Sequence, residues 1–205
     1  MAQFGIIITR WLLLQELKEA VRKSIVDAAL HEFLAKGYGR TSMRGIASRA
    51  GITHGNIYRY FDSKGALFQS MVARSKGALL EVLAEVLVTF DPDTDLSSQL
   101  EALAQKLTRL VLDHRDNLML LLEMGPSDEV SQLRDRVVRM ISDFFRSHIG
   151  PGAPFEDEFF LDLTSSNVYR GFLEVIRRGN GREWTVTNLN LLVRYHLFGI
   201  ANFAA

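Results

Sequence analysis

Apolar positions recur along this chain at helical spacing, and no stretch of useful length alternates in the two-residue period of a strand. Ile25, Ala29 and Phe33 form one row, and Val26, Leu30 and Leu34 form a second beside it, which predicts a helix over Ser24–Lys36. Gly37 ends it, with Tyr38 placed for the apolar contact that follows such an end. Met43, Ile46, Ala47 and Ala50 mark a short helix behind Ser42. After Gly51, Thr53 is placed to cap a second short helix over His54–Phe61, whose Ile57 and Phe61 face inward. Ser63 caps a long helix to about Phe90, carried by Leu67, Met71, Ala78, Val82, Val86 and Phe90 and widened by Phe68, Leu79, Leu83 and Leu87. Further helices follow over Leu96–His114 (capped by Asp95), Asp116–Met124, Asp128–His148, Phe155–Arg178 and Val186–Phe203. Loops fall at Asp91–Asp95, Gly125–Ser127, Gly150–Pro154 and Gly179–Arg182. The fold class is therefore all-α, and no internal repeat is present.

The two short helices and their turn hold the most informative residues. Thr41-Ser42-x-Arg44-x-Ile46-Ala47-x-x-Ala50-Gly51-Ile52 is followed by Gly55-x-Ile57-Tyr58-x-Tyr60-Phe61 and then Ser63-Lys64-x-x-Leu67. Helix, glycine-containing turn, helix is the helix-turn-helix plan, in which the second helix enters the DNA major groove. This long pattern of fixed spacing resembles the TetR family of bacterial transcriptional regulators over about residues 20 to 70. Beyond that window the likeness is one of length and helical character. The resemblance implies a three-helix DNA-binding head over residues 22–66, preceded by an extension over 1–21 and followed by a helical effector-binding and dimerisation domain over 67–205. Two departures stand out: Gly45 and Gly65 lie where the family often has an acid. Gly45 removes a capping-box partner, and Gly65 and Gly77 each cost the long helix about 1 kcal/mol relative to alanine.

Composition alters this picture through its distribution. The 205 residues carry a formal net charge of zero, which alone argues against nucleic acid. Residues 22–64, however, hold eight Lys/Arg against three acids, a net of +5, and residues 65–205 hold fourteen against nineteen, a net of −5. A basic head on an acidic body is the footprint of a phosphate-binding module attached to something else. The absence of cysteine excludes disulfides, thiolate zinc sites and cysteine nucleophiles, and fits a cytoplasmic protein. Residues 1–21 are strongly apolar at Ile6–Ile8 and Trp11–Leu14. They are too short and too interrupted by Arg10 for a membrane span, and lack the flanks of a signal peptide. They read as an extension of the first helix or an unordered arm, as a segment packed on the body or a partner, or as sequence upstream of the true start.

The resemblance assigns roles to particular residues. Thr41 and Ser42 would donate to phosphate, Arg44 would meet a phosphate or guanine edge, Tyr58 a phosphate, and Lys64 a phosphate at the start of the next helix. Thr53, His54, Gly55, Asn56 and Arg59 are the base-reading positions, and Tyr60 divides between interface and packing. In the body, Met71, Phe90, Met119, Leu122, Met124, Phe144, Tyr169 and Phe172 are candidates for an apolar effector pocket. Leu189, Leu192, Val193, His196, Leu197 and Ile200, with Leu173 and Ile176 opposite, are candidates for a homodimer interface; ordinary intrachain core is the alternative for both sets. Five scattered histidines show no metal-ligand spacing, and no catalytic constellation appears, so neither metal nor cofactor nor enzymatic activity is expected. The expected function is that of a dimeric transcriptional regulator, a repressor in the first instance, binding a palindromic duplex and an unknown small molecule without a membrane. The alternative is a helical adaptor that keeps the head and acts through protein partners.

Overall fold

A computed structural model describes residues 2–91, 94–148 and 158–201, and the side chains of these except at 2–9, 96, 148 and 198–201. The predicted loop at Gly150–Pro154, the starts at Phe155 to Asp157, the end at Phe203 and the side chain of Ile200 lie outside the described residues. The elements are α1 (Ala2–Arg40), α2 (Met43–Arg49), α3 (His54–Ile57), α4 (Lys64–Thr89), α5 (Leu96–Met119), a π-type turn (Leu120–Met124), α6 (Ser127–His148), α7 (Glu158–Arg178) and α8 (Arg182–Ala201). Helix is the only regular structure among the described residues, and no helix there is long and apolar enough to cross a membrane.

Two compact units divide the chain, residues 1–71 and 72–205. In the first, Ile25, Ala28, Ala29 and Phe33 of α1 are buried, with Met43, Ile46 and Ala47 of α2, Ile57 of α3, and Phe61, Leu67 and Phe68. The ring of Phe33 stacks on Tyr38 at 5.7 Å and meets Phe68 edge-on at 5.6 Å, and Tyr38 meets Phe68 at 5.3 Å. Offset and edge-on geometry is what aromatic quadrupoles favour. Gly37 breaks α1 at φ 75°, ψ 164°, a conformation essentially reserved for glycine. The residues before Ser24 extend α1, and they leave Trp11, Leu12, Leu13, Leu14 and Leu17 exposed.

In the second unit α5 packs on α8, and α6 on α7, which also meets α8. Ser142 of α6 donates to Ser165 of α7 at 2.9 Å, so two buried hydroxyls satisfy one another. Three element boundaries differ from the sequence expectation. No break separates Leu96–His114 from Asp116–Met124, because α5 runs unbroken into the π-type turn. The polar run at Asp113–Asn117 continues the helix: Arg115 reaches from it to donate to the carbonyls of Ile176 and Arg177, both at 2.9 Å. Those carbonyls belong to the last turn of α7, which a cation favours. The final helix begins at Arg182, earlier than Val186, since the Thr185 hydroxyl and amide both bond back to Gly181. α3 is shorter than expected; beyond Ile57 the chain closes in tighter turns, with Tyr60 and Phe61 both donating to the Ile57 carbonyl.

Candidate nucleic-acid interface

Short-range hydrogen bonds fix the turn between α2 and α3. Ser42, extended at φ −122°, accepts from the Gly45 amide at 3.1 Å, satisfying one of the free donors at the start of α2. At the other end Ile52 N–H donates to Ala47 O at 3.0 Å and Gly51 N–H to Ser48 O at 3.3 Å, the paired closure of a Schellman end. That closure requires the left-handed backbone that Gly51 supplies at φ 71°. Thr53 then accepts from Asn56 N–H at 3.3 Å and starts α3. Ile57 and Phe61 are buried and anchor α3 to the core of its unit.

With its inward side fixed, α3 turns the rest outward. Thr53, His54, Gly55, Tyr58 and Arg59 are exposed, and Asn56 and Tyr60 are half-buried. His54 and Tyr58 lie edge to face at 5.3 Å, forming a polar and aromatic ridge along the helix. A Cβ added at Gly55 would meet nothing within 4 Å. Ser42 and Arg44, at the start of α2, are exposed as well. The arrangement can offer hydroxyl, amide, imidazole, phenol and guanidinium groups to a polyanion from a rigidly held surface.

Two of the expected phosphate contacts point elsewhere. Thr41 is buried, and its hydroxyl lies on Glu32 O at 3.1 Å and Gly37 O at 2.9 Å, so it ties the end of α1 together and has no free surface for phosphate. Lys64 donates from Nζ to Tyr38 O at 2.7 Å and Thr41 O at 2.8 Å, and its ammonium sits 4.2 Å from the Tyr38 ring centroid. Burial pushes that ammonium below the usual lysine value. Lys64 therefore latches the start of α4 to the end of α1, a role that α4's sequence alone does not announce.

Glu32 is the residue that the sequence reading missed. It is buried, and it accepts from Lys36 Nζ at 2.5 Å and Arg49 Nε at 2.8 Å, joining α1 to α2. The signal was present, since Glu32 stands seven residues after Ile25, on the buried side of α1. The bond from Lys36, then that from Arg49, holds its carboxyl below the ordinary glutamate value of 4.5. Gly45 now has a physical reason: a Cβ there would lie 3.6 Å from Glu32 Oε2, so an acid would set a second carboxylate against the buried one. A lowered folded-state value means that Glu32 stabilises the fold above the unfolded value, and that this is lost as pH falls through the folded one. Residues 1–71 are thus expected to lose stability below about pH 4.5, and Glu32→Gln to flatten that part of the profile while lowering stability at neutral pH. Denaturation followed from pH 7 to pH 3 checks both.

In residues 72–205 the expected pocket and dimer sets are redistributed. A cavity of about 110 Å³ is lined by Phe144, Tyr169 and Phe172 from the expected pocket set, and by Leu192, Val193, His196 and Leu197 from the expected dimer set. Leu122 is buried and gives its carbonyl to the Tyr169 hydroxyl at 3.2 Å, outside that lining, and burial raises the Tyr169 phenol above its usual value. Phe90 stands behind the cavity, edge-on to Phe144 at 4.9 Å. Met119 and Met124 are half-buried away from it, and Met71 belongs to the core of the first unit. Ile176 and Leu189 are fully buried and Val193 nearly so, which corrects their reading as surface for a second copy. The periodic row was real, but it faces α5 and α7 within the chain. Leu173 is half-buried. Among the described residues, the large apolar side chains that α7 and α8 leave in solvent are Phe159, Leu163, Leu191 and Tyr195, the last 76% exposed.

Comparison with known proteins agrees with this geometry. Residues 25–71 match the family model of bacterial regulatory proteins, tetR family. The chain is 27% identical over 132 residues to the HTH-type transcriptional repressor BepR of Brucella suis, covering 63% of each protein. It is 35% identical over 106 residues to the HTH-type transcriptional regulator AcrR of Shigella flexneri, covering 52% of this chain and 48% of that one. The chain thus spans about half to two thirds of the length of these curated relatives. Among solved structures, a TetR-family transcriptional regulator from Bordetella parapertussis superposes with a TM-score of 0.65 at 19% identity, covering 89% of this chain and 96% of that one. With the turn, the caps and the exposed α3 ridge in place, residues 25–71 carry the helix-turn-helix of the tetR family of bacterial regulatory proteins, and the chain is similar to HTH-type transcriptional regulators.

Proposed function

We propose that this chain is a sequence-specific DNA-binding transcriptional regulator that works as a dimeric, ligand-responsive repressor in the cytoplasm. The observation that carries the reading is the exposed ridge of α3. Its anchor residues are buried, while Thr53, His54, Gly55, Tyr58 and Arg59 face solvent beside Ser42 and Arg44. Arg59 and Asn56 are the side chains suited to base edges, and Arg44, Ser42 and Tyr58 to the phosphates that set register. Repression is supported by the names of relatives at 26 to 27% identity, BepR and the HTH-type transcriptional repressor KstR of Mycobacterium tuberculosis. Phe159, Leu163, Leu191 and Tyr195 replace the buried row as the proposed surface for a second copy, and the cavity is the proposed effector site. A ligand that favours a conformation unfit for DNA would shift the population away from the bound state.

A pool of randomised duplexes retained on the full chain at low salt and sequenced tests the reading. Enrichment of an inverted repeat with half-sites about one helical turn apart, or somewhat more, is expected. Failure to enrich any sequence would instead support the adaptor alternative.

A further inference from the structure

The positive charge of residues 22–64 comes from eight Lys and Arg side chains, and most of them are already engaged within the fold. Lys23 pairs with Asp27 at 2.6 Å, and Lys36 and Arg49 share the carboxylate of Glu32. Arg40 donates from Nε to the Lys36 carbonyl at 2.8 Å, and Lys64 lies on two carbonyls. Among the described residues, the guanidinium groups left without a hydrogen bond or ion pair are those of Arg22, Arg44 and Arg59, all exposed. Arg44 and Arg59 belong to the interface already described. Arg22 stands on α1, outside the helix-turn-helix in sequence.

Arg22 is nevertheless held in place. Its guanidinium carbon lies 4.8 Å from the centroid of the Phe61 ring. At that distance a cation is attracted to the ring face through the aromatic quadrupole. The contact consumes none of its N–H donors, so the group is oriented and still able to offer phosphate the bidentate fork that suits it. Phe61 is 5% exposed and closes the turn after α3, its amide donating to the Ile57 carbonyl at 3.1 Å. The ring that anchors the end of the reading element therefore also carries Arg22. From His54 to Phe61 the chain rises about 1.5–2.0 Å per residue, or about 10–14 Å in all, close to the roughly 12 Å width of the major groove. Phe61 stands past Arg59, the last base-reading position. A cation beside it is placed at an edge of the groove, where the phosphates lie, and not over the bases.

We infer that Arg22 is a phosphate-contacting residue of the DNA interface, positioned by its contact with Phe61 at the end of α3. The inference deepens the DNA-binding reading above and rests on it. The experiment uses the full chain and two duplexes of equal length, one carrying the selected repeat and one of random sequence, with affinity measured from about 50 to about 200 mM salt. Arg22→Leu keeps an apolar cover on Phe61 and removes the charge. It is expected to weaken both duplexes alike, about tenfold at the low salt and about threefold at the high, because one phosphate contact contributes about 0.9 to the slope of log affinity against log salt and carries no sequence information. Arg22→Lys restores the charge and is expected to recover the wild-type slope, with affinity within about threefold of wild type. Lys23→Leu, whose charge already sits on Asp27, is expected to stay within about twofold on both duplexes. Melting temperatures are expected to match wild type in all three, since both positions are exposed. A wild-type salt slope in Arg22→Leu, a loss confined to the selected duplex, or an equal loss in Lys23→Leu would each overturn the inference while leaving the DNA-binding reading intact. If the wild-type chain prefers no sequence yet binds the random duplex, the sequence-specific reading fails and the slope of Arg22→Leu still decides the role of Arg22. A wild-type chain that binds neither duplex would overturn both.

Discussion

Phe33→Ala is expected to cost residues 1–71 about 3–5 kcal/mol, enough to unfold them at moderate temperature. Phe33 is 0% exposed and touches two other rings, so the substitution removes a full aromatic side chain and two ring pairs at once. Each such pair adds about 0.5–1.5 kcal/mol beyond the area it buries. The loss spreads through Tyr38, whose ring carries the Lys64 ammonium at 4.2 Å and whose carbonyl accepts from it at 2.7 Å. Loosening Tyr38 therefore also frees the start of α4. A unit of this size has little stability in reserve, since small domains bury a smaller share of their surface. Leu13→Ala is the comparison, because Leu13 is 54% exposed and should matter by less than about 0.5 kcal/mol. Urea denaturation of the three proteins, followed on resonances of residues 24–71, gives the difference; a cost below about 1 kcal/mol for Phe33→Ala would contradict the aromatic core.

What the sequence made legible was local. The turn at Gly51, the caps at Ser42 and Thr53, the end at Gly37 and the buried rows of α1 to α3 depend on residues within a few positions of each other. Periodicity and capping chemistry report on that range. The errors arose where the partner is distant in sequence. Lys64 carries the right group for phosphate, yet its hydrogen bonds run to the carbonyls of Tyr38 and Thr41, 26 and 23 positions away, a link that exists only once the end of α1 and the start of α4 have met; Thr41 in turn folds its hydroxyl back onto Glu32 and Gly37 of α1. Glu32 escaped notice because a charged residue on an apolar row looks like an interruption until Arg49 arrives from α2. On α8 the period correctly predicts one apolar face, but it does not say whether that face meets its own chain, a second copy or a ligand. Leu189 proves to be core, Leu192 and His196 line a cavity, and Leu191 and Tyr195 stay outside. The join of α5 to the π-type turn was missed for a similar reason: Arg115 makes the polar run useful by capping a helix 61 residues later.

The central claim is that the solvent face of α3 meets DNA, and Gly55→Glu addresses it. Nothing within 4 Å would meet a Cβ at position 55, so the fold should accept the change; glycine is also a poorer helix former than glutamate. In a groove-bound α3 the same side chain would stand between the helix and the bases and set a carboxylate among phosphates. Both effects oppose binding, and together they are expected to cost at least about 100-fold in affinity, or about 2.7 kcal/mol. Gln105→Glu, an exposed position on α5 with the same change of charge, controls for net charge alone. The decisive measurement is the affinity of wild type, Gly55→Glu and Gln105→Glu for the selected duplex by fluorescence anisotropy, at one fixed salt concentration of about 100 mM, since such affinities depend steeply on salt. The account predicts unchanged melting temperatures in all three, near wild-type binding for Gln105→Glu, and loss of binding for Gly55→Glu. A folded Gly55→Glu protein that binds the duplex as wild type does would contradict it.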